Sequence, residues 1–501
     1  GNGIDDDGNG YVDDVYGWNF YNNNNQIFTG EEDSHGTHGA GTISAGTGNG
    51  IGISGIVPGT RVRVMALKAL GGNDGGGSTA AVIKAIRYAE DNGAVICNLS
   101  LTSTVDDKAL YEAMKNSSML FVVAAGNGNP KTGKGVDTDA IPFYPAAYDL
   151  DNIISVANLS IDGTLSASSN YGKKTVDLAA PGSYILSTTP GNTYGYMSGT
   201  SMATPQITGA MAVLIEYLDK NYPDLTGAEQ RKVAADLLMS TADPLMATST
   251  LEYSPRAQGA GLANLVSATT SPAYLSNKDA SEGRPKIEFG DDDDKTGVYT
   301  FTFEINNLKD KDLTYTLSSN LITEAIDQDK YINASPYALE AKVSFTGGDT
   351  VTVPASGSVT VTGTITLTDA DKEVECLYEY LDNWDQTTAQ QDVANALAQY
   401  GEKIEVVFCN NDAMALGALQ SIEQAGRTVG TDIYLVGVDA LKEAVQNVVD
   451  GKMTGTVLND DVGQATAAAE ATKLFVEGSD VEEYYWVDYV KVTTENAAQY
   501  L

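Results

Sequence analysis

Residues 194–210 read YGYMSGTSMATPQITGA, and small residues crowd Ser201 just before an apolar run of helical spacing over 202–218. A serine on a Gly-flanked turn at a helix N-terminus presents its hydroxyl beside unpaired backbone N–H groups and the positive end of the dipole. That is a good seat for a nucleophile. Serine is weak in this role at neutral pH, so the chain must also supply a base and a group that stabilises an oxyanion.

Two histidines occur, His35 and His38, both in DSHGTHGAGTISAG at 33–46, where the small residues after them would let a helix pack closely under a site. An apolar strand expected over 119–125 leads into Gly126-Asn127-Gly128. The glycines there permit a tight turn that aims the Asn127 amide inward, although an asparagine in a turn is ordinarily turn chemistry alone.

Three strings, SHGTHGAGTISA, FVVAAGNGNP and MSGTSMATP, resemble the subtilisin-like serine proteases (subtilases), supported by GIVPGTRVRVMALKAL, NLSL at 98–101 and VDLAAPGSYILSTTPGNTYGY. The resemblance covers about residues 1–270. It implies a doubly wound parallel-sheet α/β domain acting on protein or peptide substrates, with His35 as general base, Ser201 as nucleophile and Asn127 donating its amide to the oxyanion. It also implies that Ser100, Leu101 and Thr102 bind substrate backbone as an added strand. Thr102 replaces the family's glycine and would narrow the specificity pocket, while Gln206 replaces a non-catalytic histidine.

One expected part is missing. The family order is Asp, His, Ser, with the Asp in a strand ending in Asp-Thr/Ser-Gly upstream of the histidine. No DTG or DSG occurs, and GNGIDDDGNGYVDDVYGWNF matches the stretch that lies downstream of that turn in the family. Asp33 is too close in sequence to His35 to serve. The chain is therefore expected to begin inside its catalytic domain, which also accounts for the lack of a signal peptide; an extracellular or cell-envelope location is expected.

A length of 501 residues predicts two to four domains. Asp and Glu outnumber Lys and Arg 67 to 30, for a net charge of −37, which disfavours nucleic acid and anionic membranes as partners. No apolar run approaches the ~18 residues that span a bilayer. Cys97, Cys376 and Cys409 are too few and too dispersed for a disulfide framework and are expected as small buried hydrophobes. Residues 5–14, DDDGNGYVDD, offer oxygens at Asp5, Asp7, Asn9 and Asp13 around Gly10, much like the first nine positions of an EF-hand calcium loop. Tyr16 stands where the closing Glu belongs, so both a structural calcium site and a solvated acidic turn remain open.

Alternating patterns at 298–304, 313–317, 341–345, 350–353 and 359–367 predict a β-sandwich over 285–370. PKIEFG…GVYTFTFEINNLKDKDLTYTL resembles the fibronectin-III-like domain of cell-envelope subtilases. The DDDDK at 291–295 matches an enteropeptidase cleavage string, a coincidence to be expected of an acidic loop. Residues 374–501 carry LDNWDQTTAQ, KIEVVFCNNDAMALGAL, DIYLVGVDALKEA and KMTGTVLNDDVGQ. These resemble the C-terminal portion of a periplasmic galactose/glucose-binding protein of the type I solute-binding fold. The resemblance implies that Trp384 stacks on a hexose while Asn411, Asp439 and Asn459 bond its hydroxyls. Since most of one lobe is lacking, the same four residues could instead only pack or face solvent. Glu405 matches a calcium ligand whose loop is absent. Strands are expected at 404–408 and 433–438, and helices from 413, capped by Asp412, and over 462–476.

Three functions therefore stand after the sequence: a subtilisin-like endopeptidase, a protease-like protein crippled by the missing Asp, and a carbohydrate-binding protein.

Overall fold

The computed structural model describes residues 1–72, 75–128, 132–249, 251–277, 284–290, 296–326, 332–335, 341–367, 377–476, 487 and 489–501. Cys376, the string at 291–295 and Asn129-Pro130 of the FVVAAGNGNP motif lie outside the described residues. The chain forms two compact units, Gly1–Lys372 and Glu373–Leu501.

In the first unit, β1 (Gly17–Asn19) pairs in parallel with β2 (Ala66–Lys68). A separate sheet of β3 (Ile96–Leu99), β4 (Leu120–Ala124), β5 (Ile153–Leu159) and β6 (Leu178–Pro181) is parallel throughout and ordered β3-β4-β5-β6. Side chains alternate across a strand, so a sheet covered on both faces needs apolar residues at every position. β4 shows this directly. Leu120 and Val122 pack with Ile154, Val156 and Leu178 into one core, while Phe121 and Val123 turn to another with Leu99 and Ile153. The first core is closed by α4 (Thr200–Asn221) and α5 (Gly227–Ser240), the second by α2 (Thr79–Asp91) and α3 (Lys108–Lys115). This is the doubly wound α/β architecture. The remaining helix of interest, α1 (Ser34–Ser44), packs against α4.

α2 illustrates how locally this is encoded. The Ser78 hydroxyl accepts the Ala81 N–H at 3.2 Å, Val82, Ala85, Ile86 and Ala89 form the buried stripe, and Gly93 beyond the end takes φ +76. Residues 61–67 alternate in the manner of a strand, but only the end of that run is paired. β1 offers only three residues to pair with, and Val64 is left exposed. Cys97, on the outermost strand β3, is half-buried rather than buried, whereas Cys409 is buried; both are free thiols.

A hairpin of β7 (Ile185–Thr189) and β8 (Thr193–Met197) leads into α4. Beyond α5, β9 (Ala273–Ser276), β10 (Val298–Asn307), β11 (Leu313–Thr316), β12 (Ala341–Phe345), β13 (Thr350–Val353) and β14 (Ser358–Leu367) form antiparallel sheets, ordered β9-β10-β14-β12 and β11-β13. Ile305, Val353 and Val361 form their small core. A buried charge cluster ties the segment before β10 to the parallel sheet. Arg284 Nη1 meets Asp177 Oδ2 at 2.6 Å, Lys286 Nζ meets Oδ1 at 3.3 Å, and the Ser155 N–H donates to Oδ2 at 2.8 Å. Burial alone would raise the Asp177 pKa, but the two cations and the N–H outweigh it and hold the carboxyl below its ordinary value.

In the second unit, β15 (Val406–Phe408), β16 (Tyr434–Val436) and β17 (Gly455–Leu458) are parallel, with β18 (Val490–Thr493) antiparallel at the edge. α6 (Gln386–Tyr400), α7 (Asp412–Gln424) and α8 (Lys442–Val449) surround a core that includes Ala415, Leu419, Ile422, Ile433, Leu435, Val445 and Val448. The opposite strand face is open, with Val406, Phe408 and Tyr434 exposed. On α9 (Asp461–Val476), Val462, Phe475 and Val476 are exposed too. Asp412 does not cap α7 as expected. Asn411 does so, its Oδ1 accepting the Met414 N–H at 2.8 Å, while the buried Asp412 accepts from the Leu441 N–H at 2.7 Å and the Thr456 hydroxyl at 2.6 Å.

Replacing Asp177 leaves two cations without their buried partner. Asp177→Ala should cost about 3–5 kcal/mol, read as a lowered urea midpoint for the first unit at neutral pH; an unchanged midpoint would show that the cluster holds nothing together. Because the folded pKa is depressed, the wild-type contribution is present above the unfolded carboxylate range and is lost as pH falls through the folded value.

Candidate active site

Ser201 is the second residue of α4, so its own N–H has no partner within the helix. The helix is started by Gly199 at φ +150, where a Cβ would also lie 3.2 Å from Asn127 Oδ1. No side chain of the N-cap residue satisfies the first turn. Asn127 does, from the end of β4: its Oδ1 accepts the Thr200 N–H at 2.8 Å and the Thr200 hydroxyl at 3.1 Å. A backbone N–H can only donate, so the oxygen of the amide must face α4. The Asn127 Nδ2 is then the end left to donate away from Thr200.

The turn carrying Asn127 is built as its glycines suggest, with Gly126 at φ +103 and Gly128 at φ +69. The wholly buried Asn170 holds it, donating to the Ala125 carbonyl at 3.2 Å and accepting the Val136 N–H at 3.1 Å. Asn170 gave no sequence signal beyond an ordinary SSNYG turn. Ser201 Oγ donates to the Ser100 carbonyl at 3.3 Å, and Ser100 Oγ donates back to the Ser201 carbonyl at 2.9 Å. Leu101 packs partly onto the core with Phe121, Thr102 is exposed, and Ser103 forms an isolated antiparallel bridge to Tyr144.

His35 lies in the first turn of α1. The helix is clamped to the β7–β8 hairpin. Ser187 and Thr188 hydroxyls donate to the His38 and Thr37 carbonyls at 2.7 and 2.9 Å, and His38 Nε2 donates to the Ile185 carbonyl at 2.8 Å. Gly41 allows this approach, since a Cβ there would meet Thr188 Oγ1 at 2.1 Å. His35 is open to solvent by accessible area, yet the protein crowded around it disfavours its charged form and, with a smaller repulsion from His38, lowers its pKa. The ring is thus reachable from outside while its cation is held back. A histidine so lowered is neutral at pH 7 and able to take a proton. Among the described residues no carboxylate bonds to its ring. Asp33 is committed elsewhere, at 2.7 Å from Lys68 Nζ and accepting the Thr29 N–H at 2.6 Å.

The acidic loop is folded back on its own carboxylates. Asp5 accepts the N–H groups of Gly8, Asn9 and Gly10, and Asp13 those of Asn2 and Gly3. Asn9 donates its amide to Asp7 and Asp14. Among the described residues no three acidic, His or Cys side chains converge to hold a metal. In the second unit, of the four expected sugar residues, Trp384 and Asn459 are exposed, Asn459 accepts from Gln464 at 2.6 Å, and Asn411 uses its Oδ1 as a helix cap. Trp384 at φ +66 and Asp439 at φ +110 both hold left-handed backbone.

The structure thus brings a serine and an asparagine amide to one helix N-terminus on an α/β sheet, with a histidine whose charged form is disfavoured on the adjoining helix. The model of the subtilase family matches residues 2–261, and the chain belongs to that family. A Fn3-like domain model matches 287–389 and a periplasmic binding protein domain model 358–480. Thermitase of Thermoactinomyces vulgaris is 37% identical over 242 residues, 47% of this chain and 76% of thermitase. The major intracellular serine protease of Bacillus subtilis (strain 168) is 40% identical over 191 residues, 38% of this chain and 57% of that protein. The thermophilic serine proteinase of Bacillus sp. (strain AK1) is 39% identical over 222 residues, 43% of this chain and 49% of that protein. The chain thus spans about half the length of the last two and three quarters of the first.

Asn127→Leu removes the outward amide and should slow hydrolysis about 10²- to 10³-fold, measured as kcat on a chromogenic peptide. The rate of reaction at Ser201 should rise with pH and reach half its plateau below the ordinary histidine value of 6.5, because only the neutral ring accepts a proton; a midpoint above that value would contradict the lowered pKa.

Proposed function

We propose that residues 1–270 form a subtilisin-type serine endopeptidase unit, hydrolysing peptide bonds through an acyl-enzyme on Ser201, followed by a sandwich over 285–370 and a partial solute-binding lobe over 374–501. What supports the reading most is the shared anchoring of nucleophile and amide donor, Thr200 bonding Asn127 while Ser201 bonds Ser100. Ser201 Oγ attacks the carbonyl carbon as His35 takes its proton. The oxyanion is met by Asn127 Nδ2 and the Ser201 N–H, the amine leaves with the proton from His35, and water completes the cycle by the reverse route. Residues 100–102 lie beside the nucleophile and are assigned to the substrate backbone. Secretion to the cell envelope or beyond belongs to the same reading, in keeping with the net charge of −37. The acidic loop takes no part in these steps.

Among the described residues no carboxylate bonds to His35 to fix its tautomer or stabilise its imidazolium. Residues 1–501 alone should therefore turn over about 10⁴-fold more slowly than a relative with all three groups, the scale of losing the Asp from such a triad. Turnover within about tenfold of thermitase, a gap of ~1.4 kcal/mol, would mean that another group does the work of the Asp. A fluorophosphonate should label Ser201 slowly, and Ser201→Ala should abolish the label; a label that survives would move the nucleophile elsewhere.

A second reading, hexose binding by residues 374–501, has the exposed Trp384 and the periplasmic-binding-protein match in its favour. Affinity for small ligands comes from burying most of their surface, and polar groups left facing water gain little from a hydroxyl. Calorimetry of the full chain with galactose and glucose should show no dissociation constant below about 10 μM, or roughly −6.8 kcal/mol. A tighter value would put sugar binding into the function.

A further inference from the structure

In an α-helix each carbonyl accepts the N–H four residues on, so the Ser201 carbonyl should be filled by residue 205. That residue is Pro205, which has no N–H and whose ring crowds the carbonyl it faces. The defect falls on the backbone of the serine itself. It is filled from outside the helix, by Ser100 Oγ at 2.9 Å.

The direction of that bond is fixed by its neighbours. Asn98 Nδ2, which can only donate, points at Ser100 Oγ at 3.0 Å, so the one hydroxyl hydrogen of Ser100 must go to the Ser201 carbonyl. Asn98 Oδ1 in turn accepts the Thr208 hydroxyl at 2.8 Å. Thr208 lies two turns further along α4, so the network leaves the helix, passes through the end of β3 and returns to the helix start. Ser201 Oγ closes the loop onto the Ser100 carbonyl at 3.3 Å.

We propose that Ser100 is a positioning residue, its hydroxyl replacing the helix hydrogen bond that Pro205 cannot donate and so holding the Ser201 backbone where its side chain can react. The proposal rests on Ser201 being the nucleophile. It assigns the Ser100 side chain a role separate from that of its backbone, which lies along the substrate segment. A misplacement of about 1 Å at a reacting atom costs on the order of 10²-fold in rate, so a first turn that relaxes even partly would be felt in chemistry before it is felt in folding.

The test is the rate of fluorophosphonate labelling on the full chain, resolved into the maximal rate and the reagent concentration for half of it, with the adduct located by mass spectrometry. Ser100→Ala should lower the maximal rate about tenfold, equivalent to ~1.4 kcal/mol, with the half-saturating concentration unchanged. Ser100→Thr, which keeps the hydroxyl, should retain the rate. Pro205→Ala restores an N–H to the helix, so Ser100→Ala combined with Pro205→Ala should recover most of the loss, which a general loss of packing would not allow. A Ser100→Ala rate within about twofold of the parent, or a slow rate that Pro205→Ala fails to rescue, overturns the proposal while leaving Ser201 as the nucleophile. A parent chain that takes no label at Ser201 overturns the nucleophile assignment, and this inference with it.

Discussion

The site depends on the two hydrogen bonds that Thr200 donates to Asn127 Oδ1, at 2.8 and 3.1 Å. They join the end of the central strand β4 to the start of α4, the helix lying across β3, β4, β5 and β6. As a helix cap, such a bond stabilises by only about 1 kcal/mol. Its importance is geometric: the amide that caps the helix with its oxygen must turn its nitrogen away from Thr200, so in the proposed mechanism cap and oxyanion donor are two ends of one group. Gly199 makes the arrangement possible, because its φ of +150 suits no other residue well and a Cβ there would press on the same amide.

The rest of the unit can be understood as support for that junction. β4 is apolar at every position because it divides two cores, and it can therefore deliver Asn127 without moving. α1 is drawn against the β7–β8 hairpin through Gly41, and its two histidines differ in role: His38 is wholly buried with Nε2 on a carbonyl, whereas His35 stays accessible. Burial thus separates a structural histidine from an accessible one within a single helical turn. Among the described residues the hydrogen bonds around Ser201 and Asn127 run between backbone, hydroxyl and amide groups.

Much of this was legible in the sequence because the rules that govern it are short-range. Strand periodicity, the Gly126-Asn127-Gly128 turn and the serine before an apolar run each depend on residues a few positions apart. What escaped the sequence spans long separations. Ser100 and Ser201 are 101 residues apart and Arg284 and Asp177 are 107 apart, and no local pattern announces either pair. Near misses had local causes. Asp412 and Asn411 are both plausible caps, and Asp412 is bonded to Thr456 instead; residues 61–65 alternate correctly but pair with no strand among the described residues. The acidic loop has the spacing of a calcium site, and its Asp5 carboxylate also accepts backbone N–H groups, which spacing alone does not reveal.

The most direct test of the account is a crystal structure of the chain after reaction with a fluorophosphonate. The phosphorus should be bonded to Ser201 Oγ, with its oxygen within hydrogen-bond distance of both Asn127 Nδ2 and the Ser201 N–H while Asn127 Oδ1 still accepts from Thr200. An adduct whose oxygen points away from Asn127, or an Asn127 amide that has released Thr200 and turned over, would contradict the claim that one pinned side chain both starts the helix and receives the oxyanion.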